Sequence, residues 1–223
     1  MHEGQRLEDI KRGVDVNTPG LNEMAPIQTA ARRQDSEMVE FLLSRNADIN
    51  APARPNGGQP RTPLQLAAER GQGDMVRMLL DRGADINEAS APTRGRTALQ
   101  AAASGLEGSP HMEVVEFLLD KGADINAAPS GRYAIEGAAE HGRLDMVQLL
   151  LNAGARGNVR DGTGFAFAIT LANGEGHFAI AEHAGECRAL TARDGGFGVK
   201  AMYGDRSKKT VYQQELLVGT NET

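Results

Sequence analysis

Apolar and polar positions alternate in one repeating phrase along most of this chain, and a single copy shows what it builds. In TPLQLAAERG, from Thr62, residues Leu64, Ala67 and Ala68 fall on one face at i, i+3, i+4 spacing, which predicts a short helix. Thr62 supplies an oxygen that can accept from an early backbone N–H of that helix. Pro63 stands at the first helical position, where its missing N–H costs nothing. Gly71 closes the helix and Asp74 is expected to open a second one, with Met75, Val76, Leu79 and Leu80 as its apolar stripe. Gly83 then offers the left-handed residue that stops a helix. The pattern therefore predicts two short antiparallel helices and a loop.

That phrase recurs. The other copies are APIQTAARRQDSEMVEFLLSRNADIN from Ala25, TALQAAASG with MEVVEFLLDKGADIN from Thr97, and YAIEGAAEHGRLDMVQLLLNAGARGN from Tyr133. A fifth, FAITLANGEGHFAIAEHA, starts at Phe167 and stops after its second helix. The Asn residues that end each copy, Asn17, Asn50, Asn87, Asn126 and Asn158, are separated by 33, 37, 39 and 32 residues. One such helix pair cannot bury its apolar faces alone, whereas stacked neighbours bury them continuously. The expected fold class is all-α: an elongated α-solenoid of helix–turn–helix units with short β-hairpin or loop fingers along one edge. In the recurrent Ala-Asp-Ile-Asn, the short polar side chains of Asp85 and Asn87 can satisfy turn backbone groups, and Ile86 can pack between repeats.

These residues resemble the ankyrin repeat, whose pattern is T-P-L-H-x-A-A-x-x-G-H-x-x-I-V-x-x-L-L-x-x-G-A-D-x-N. The likeness runs from about Gly13 to Ala184. The wording GRTALQAAA and GADINAAP is similar to the long arrays of filamentous fungi. It divides the chain into a repeat domain at 1–184 and a non-repeat tail at 185–223. The domain holds a partial or degenerate unit at about 1–17, repeats at about 18–50, 51–87, 88–126 and 127–158, and a truncated last repeat at 159–184. The chain starts in mid-repeat, which fits either a degenerate cap or a piece of a longer array.

The resemblance implies a protein–protein interaction module, a scaffold or adaptor without catalysis, that works through hairpin fingers and inner helices. Carried over residue by residue, the finger positions are Met24, Arg61, Arg96 and Arg132. The positions after each Ala-Ala are Arg32 and Arg33, Glu69 and Arg70, Ser104, and Glu140 and His141. Arg61, Arg96 and Arg132 occupy one register in successive repeats. Stacked elements lie roughly 8–10 Å apart, about one Debye length at physiological salt. Such a row suits an extended acidic or phosphorylated partner segment, because Arg pairs bidentately with carboxylate and phosphate. The plainer alternative is that these arginines pair with Glu or Asp of their own array.

The copies also differ. APARPNGGQPR, Ala51 to Arg61, is longer than the pattern needs and is expected to form a mobile finger. Repeat 3 carries about four extra residues within LEGSP, between its two helices, expected as a surface bulge at the turn opposite the hairpin edge. In repeat 4, Tyr133 replaces the capping Thr, Gly137 sits inside a helix at a cost of ~1 kcal/mol relative to Ala, and Arg156-Gly157 replaces Asp-Ile. This repeat is expected to be among the less stable. The tail has no repeat text; disorder or loose packing, a mis-predicted exon junction, and a peptide motif read by a partner all fit it.

Composition narrows the class further. Only 4% of residues are aromatic and there is no Trp, so the core rests on Ala, Leu, Ile, Val and Met. A net charge of −6 argues against general nucleic-acid binding. No run approaches the ~20 apolar residues of a membrane span. One cysteine, Cys187, and a polar opening sequence suit a cytoplasmic protein, with a nuclear place also compatible. A monomer without cofactor is expected.

No phosphate loop, nucleophile elbow, H-E-x-x-H or C-x-x-C occurs. His177, His183 and Cys187 lie near one another in sequence, but a fourth zinc ligand is missing and His177 matches the repeat pattern. Glu136, Glu140 and His141 are the strongest acid–base candidates, since Glu136 and Glu140 share a helix face at i, i+4. They define the alternative of an enzyme, or an enzyme's accessory subunit, with a groove site near repeat 4. The competing reading of the three is a solvated inner face that contributes to partner binding.

Overall fold

The computed structural model describes residues 15–19, 24–52, 61–89, 96–105, 109–127 and 133–155, with residues 173 and 176. These residues form eight helices and no strand. They are α1 (Pro26–Arg32), α2 (Ser36–Ser44), α3 (Pro63–Glu69), α4 (Gly73–Asp81), α5 (Ala98–Ala103), α6 (Ser109–Asp120), α7 (Ala134–Glu140) and α8 (Leu144–Asn152). The fifth repeat, apart from residues 173 and 176, lies outside the described residues, as do the tail and the tips of the fingers.

Each odd-numbered helix packs on the even-numbered helix that follows it, and α1, α3, α5 and α7 pack on one another in series. Small residues permit that inner series. Ala31, Ala67, Ala68, Ala102, Ala103, Ala138 and Ala139 are all fully buried where one inner helix meets the next. Larger side chains fill the space between layers, among them Ile27, Leu42, Leu64, Leu79, Leu99, Leu118, Ile135 and Leu150. Among outer helices, α4 packs on α6. The outcome is an all-α repeat solenoid with a single continuous core.

Local chemistry sets the helix ends largely as read. Thr62 and Thr97 accept from the N–H of Gln65 and Gln100 at 3.3 Å, and Pro63 takes the first helical position. The second helix of repeat 2 starts one residue before Asp74, at Gly73, with Gln72 as its cap. In repeat 1 it is an aspartate, Asp35, that caps, accepting from Met38 N–H at 3.0 Å. Gly83 ends α4 at φ 90°, and in repeat 1 Asn46 takes the equivalent left-handed place at φ 63°.

Two readings of irregularity change. The extra residues of repeat 3 are partly helical: α6 has 12 residues, whereas α2, α4 and α8 have nine. Gly137 is a fitted residue. A Cβ there would stand 2.2 Å from Ser104 Oγ and 3.3 Å from Ser104 Cβ, so only glycine lets α7 approach α5 this closely.

Candidate functional site

Three ladders of hydrogen bonds join the repeats, and they decide which side chains remain for a partner. In the first, Asp85 Oδ1 accepts from Asn87 N–H at 2.9 Å, and Asn87 Oδ1 accepts from Asp124 N–H of the next repeat at 2.8 Å. Asn17 to Asp48 and Asn50 to Asp85 repeat that rung at 2.8 and 2.9 Å. Ala-Asp-Ile-Asn is thus a joint: its Asp shapes the turn and its Asn grips the neighbouring repeat.

The second ladder comes from glutamines three residues after each cap. Gln65 Oε1 accepts from Thr62 N–H at 3.0 Å while its Nε2 donates to Glu88 O at 2.8 Å. Gln100 does the same with Thr97 and Ala127, each at 2.8 Å. Gln28 accepts from Ala25 N–H at 2.7 Å and donates to the carbonyls of Ala51 and Arg61, each at 2.8 Å.

The third ladder points the other way along the array. The side chain at the turn between helices reaches back to the end of the previous inner helix. Gln72 donates to Arg32 O at 3.1 Å, His111 Nε2 meets Glu69 O at 3.0 Å, and Arg143 donates to Gly105 O at 3.4 Å. Gln28, Gln65, Gln100, Gln72, His111 and Arg143 are all buried, and the repeat pattern alone points to none of them as a contact between repeats. The T-x-x-Q spacing of a capping box was the available signal for the glutamines.

Against this frame of used polar groups, the surface candidates separate. Met24 is half-buried just before α1. Arg32 ends α1 half-buried, and Arg33 and Arg70 follow α1 and α3 as exposed residues. Arg61 forms an ion pair with Glu69 of its own repeat. Burial, and secondarily the positive charge of Arg96, pull the Arg61 pKa below its usual value. Arg96, half-buried, makes no ion pair among the described residues. Arg132 lies outside the described residues. Ser104 is seated against Gly137, which ties it to the packing of α5 on α7.

The acid–base candidates are drawn into structure of their own. Glu136 is only 2% exposed, and its Oε2 accepts from Tyr133 N–H at 3.2 Å. It fills the place of the glutamines at the third position of the helix, so it does not stand on the solvated inner face expected from its spacing. His141 is exposed, and its Nδ1 donates to Gly137 O at 2.8 Å. Glu140 is half-buried at the end of α7. Glu136 and His141 are thus each held by backbone of their own helix. Among the described residues no cluster of His, Cys, Asp or Glu could hold a metal ion, and His177, His183 and Cys187 lie outside them. No helix among the described residues is long and apolar enough to cross a membrane.

The family model for ankyrin repeats (3 copies) matches residues 5–90 and 88–161. The chain belongs to the ankyrin repeat family, whose members are in general protein–protein interaction modules. A search of curated proteins finds no match.

Proposed function

We propose that this chain is a non-catalytic scaffold or adaptor that binds a protein partner along its inner helices and fingers. The carrying observation is the division of polar groups. Buried Gln, His and Arg side chains, with the more exposed Asn of each loop, serve the ladders between repeats. The residues that change from repeat to repeat are exposed or half-buried: Arg33, Arg70 and His141 are exposed, and Arg32, Glu69 and Glu140 half-buried.

Within that surface Arg96 is the principal contact for an acidic or phosphorylated segment. Arg61, oriented by Glu69, adds a second guanidinium close enough to feel the first. Arg132, in the same register one repeat on, would extend the row, and Met24 begins it at repeat 1. Two neighbouring cations are mutually unfavourable until an anion lies between them. Such a scaffold is placed in the cytoplasm or nucleus as a monomer, in keeping with its single cysteine.

The test is a triple variant, R61A/R96A/R132A, used beside the wild-type chain in affinity capture from the source cells. Helical circular dichroism is expected to be unchanged while the captured partner is lost. Capture of the same partner with unchanged affinity would refute the arginine row.

A further inference from the structure

The turn ladder carries a different residue at each interface: Gln72, then His111, then Arg143. Only His111 can change its charge near neutral pH. The extra residues of repeat 3 bring His111 into this place, where the residue is 7% exposed. Its partner is the backbone carbonyl of Glu69, so Nε2 carries the proton and donates. Nδ1 is then the basic nitrogen. It is buried and has no hydrogen-bond partner among the described residues. The ring is also held in a notch that glycine leaves: a Cβ on Gly105 would stand 2.2 Å from His111 Cδ2.

We propose that His111 is an acid-sensitive latch that joins repeat 3 to repeat 2 when neutral and releases it when protonated. Protonation would create an N–H at Nδ1 that faces no acceptor among the described residues, inside a packed turn. It would also place a second cation beside Arg143, which is itself 2% exposed and donates to the carbonyl of Gly105.

Among the described residues no facing group compensates. From repeat 2 the ring meets a carbonyl, while the Glu69 carboxylate is engaged by Arg61, and Arg70 and Asp74 are exposed. From repeat 4 the nearby charge is Arg143, whose own counter-charge is Asp145 at 3.2 Å. On its own helix, Glu113 and Glu116 are exposed. Burial first, and then the charge of Arg143, hold the imidazole below its usual value.

The sign follows from that direction. A folded-state pKa below the unfolded value means the unfolded chain binds the proton more readily, so stability rises with pH. The latch is fully closed above the usual imidazole value of about 6.5 and loosens as pH falls below it.

The experiment follows urea unfolding of the full chain at pH 7.5, 6.0 and 5.0 for wild type, H111Q and H141Q. H111Q installs the residue that repeat 2 already uses in this place, Gln72. The wild-type folding equilibrium constant should fall about tenfold for each unit by which the His111 pKa is depressed. H111Q should lose that component and H141Q should keep it. Equal pH dependence in wild type and H111Q would overturn the latch. A His111 ring resonance in the wild-type chain is the independent reading should H111Q fail to fold. It should titrate below the usual imidazole value, together with faster amide exchange at the start of α6. Titration at the usual value would equally overturn the proposal.

Discussion

Replacing Gln65 by Leu tests whether the glutamine ladder holds the repeats together. Gln65 is 1% exposed, and leucine matches its bulk. The substitution removes the acceptor for Thr62 N–H and the donor to Glu88 O. Two ordinary hydrogen bonds are worth about 1 kcal/mol each, and a buried group left unmatched costs about 1–3 kcal/mol. Thr62 is 1% exposed, so its N–H bears most of that penalty. Glu88 is half-buried and its carbonyl can turn to water. The expected loss is about 2–4 kcal/mol, reduced at the lower end by the extra apolar burial of leucine. With a urea slope near 2 kcal/mol/M, the midpoint should fall by roughly 1–2 M. Gln65→Glu separates the two roles, because a carboxylate still accepts from Thr62 N–H but cannot, when ionised, donate to Glu88 O. It should destabilise as well, and less at low pH than at high pH. A loss under about 0.5 kcal/mol for Gln65→Leu would refute the assignment, since surface changes commonly fall within that range.

Gly137→Ala should lower stability by about 1–3 kcal/mol, as overpacking does, although Ala is the better helix former; Ser104→Gly in the same chain should recover much of the loss in thermal melts. Gln34 holds a left-handed backbone at φ 61° where repeats 2 and 4 have Gly71 and Gly142. Gln34→Gly should therefore raise stability by about 0.5–1 kcal/mol, set by relief of a strain of ~1–2 kcal/mol against the greater backbone freedom of unfolded glycine, as read by urea unfolding. For Asp145, burial raises the pKa, but the hydrogen bonds and charge of Arg143 and the Met146 N–H outweigh it, and the net direction is down. Its contribution to stability is present above the ordinary carboxylate value and lost as pH falls through the lower folded value. Asp145→Asn should flatten the part of the acid unfolding curve below about pH 4, and an unchanged curve would remove Arg143–Asp145 from the account.

Much of the fold was legible because its instructions are local. The capping threonine, the paired alanines, the leucines of the outer helix and the closing glycine all lie within one repeat, so spacing alone finds them. The bonds between repeats join residues 23 to 42 positions apart, and no local pattern shows which carbonyl lies opposite which side chain. Glu136 illustrates the difference. Its spacing from Glu140 suggested a shared exposed face, whereas its place three residues after Tyr133 put it inside, where the glutamines stand. Gly137 read as a weakness because Ser104, its reason, is 33 residues away in sequence. His111 was hidden by the inserted residues, which moved it away from the Gly-x register that marks Gln72 and Arg143. The surface arginines were found by register, but the ion pair of Arg61 with Glu69 required the structure.

The ladders also give the array a direction. Between repeats 1 and 2, and again between repeats 2 and 3, the earlier repeat offers an Asn oxygen and a Gln amide, and the later repeat offers an N–H, a carbonyl and a turn side chain reaching back. The two faces of a repeat are therefore complementary to each other and not to themselves. A two-fold arrangement of like faces would set donor against donor and acceptor against acceptor. Contact between copies through such faces would have to be heterologous, head to tail, the geometry that leads to rings or open filaments. Glu136 interrupts the amide series at the fourth repeat, because an ionised carboxylate has no N–H to donate.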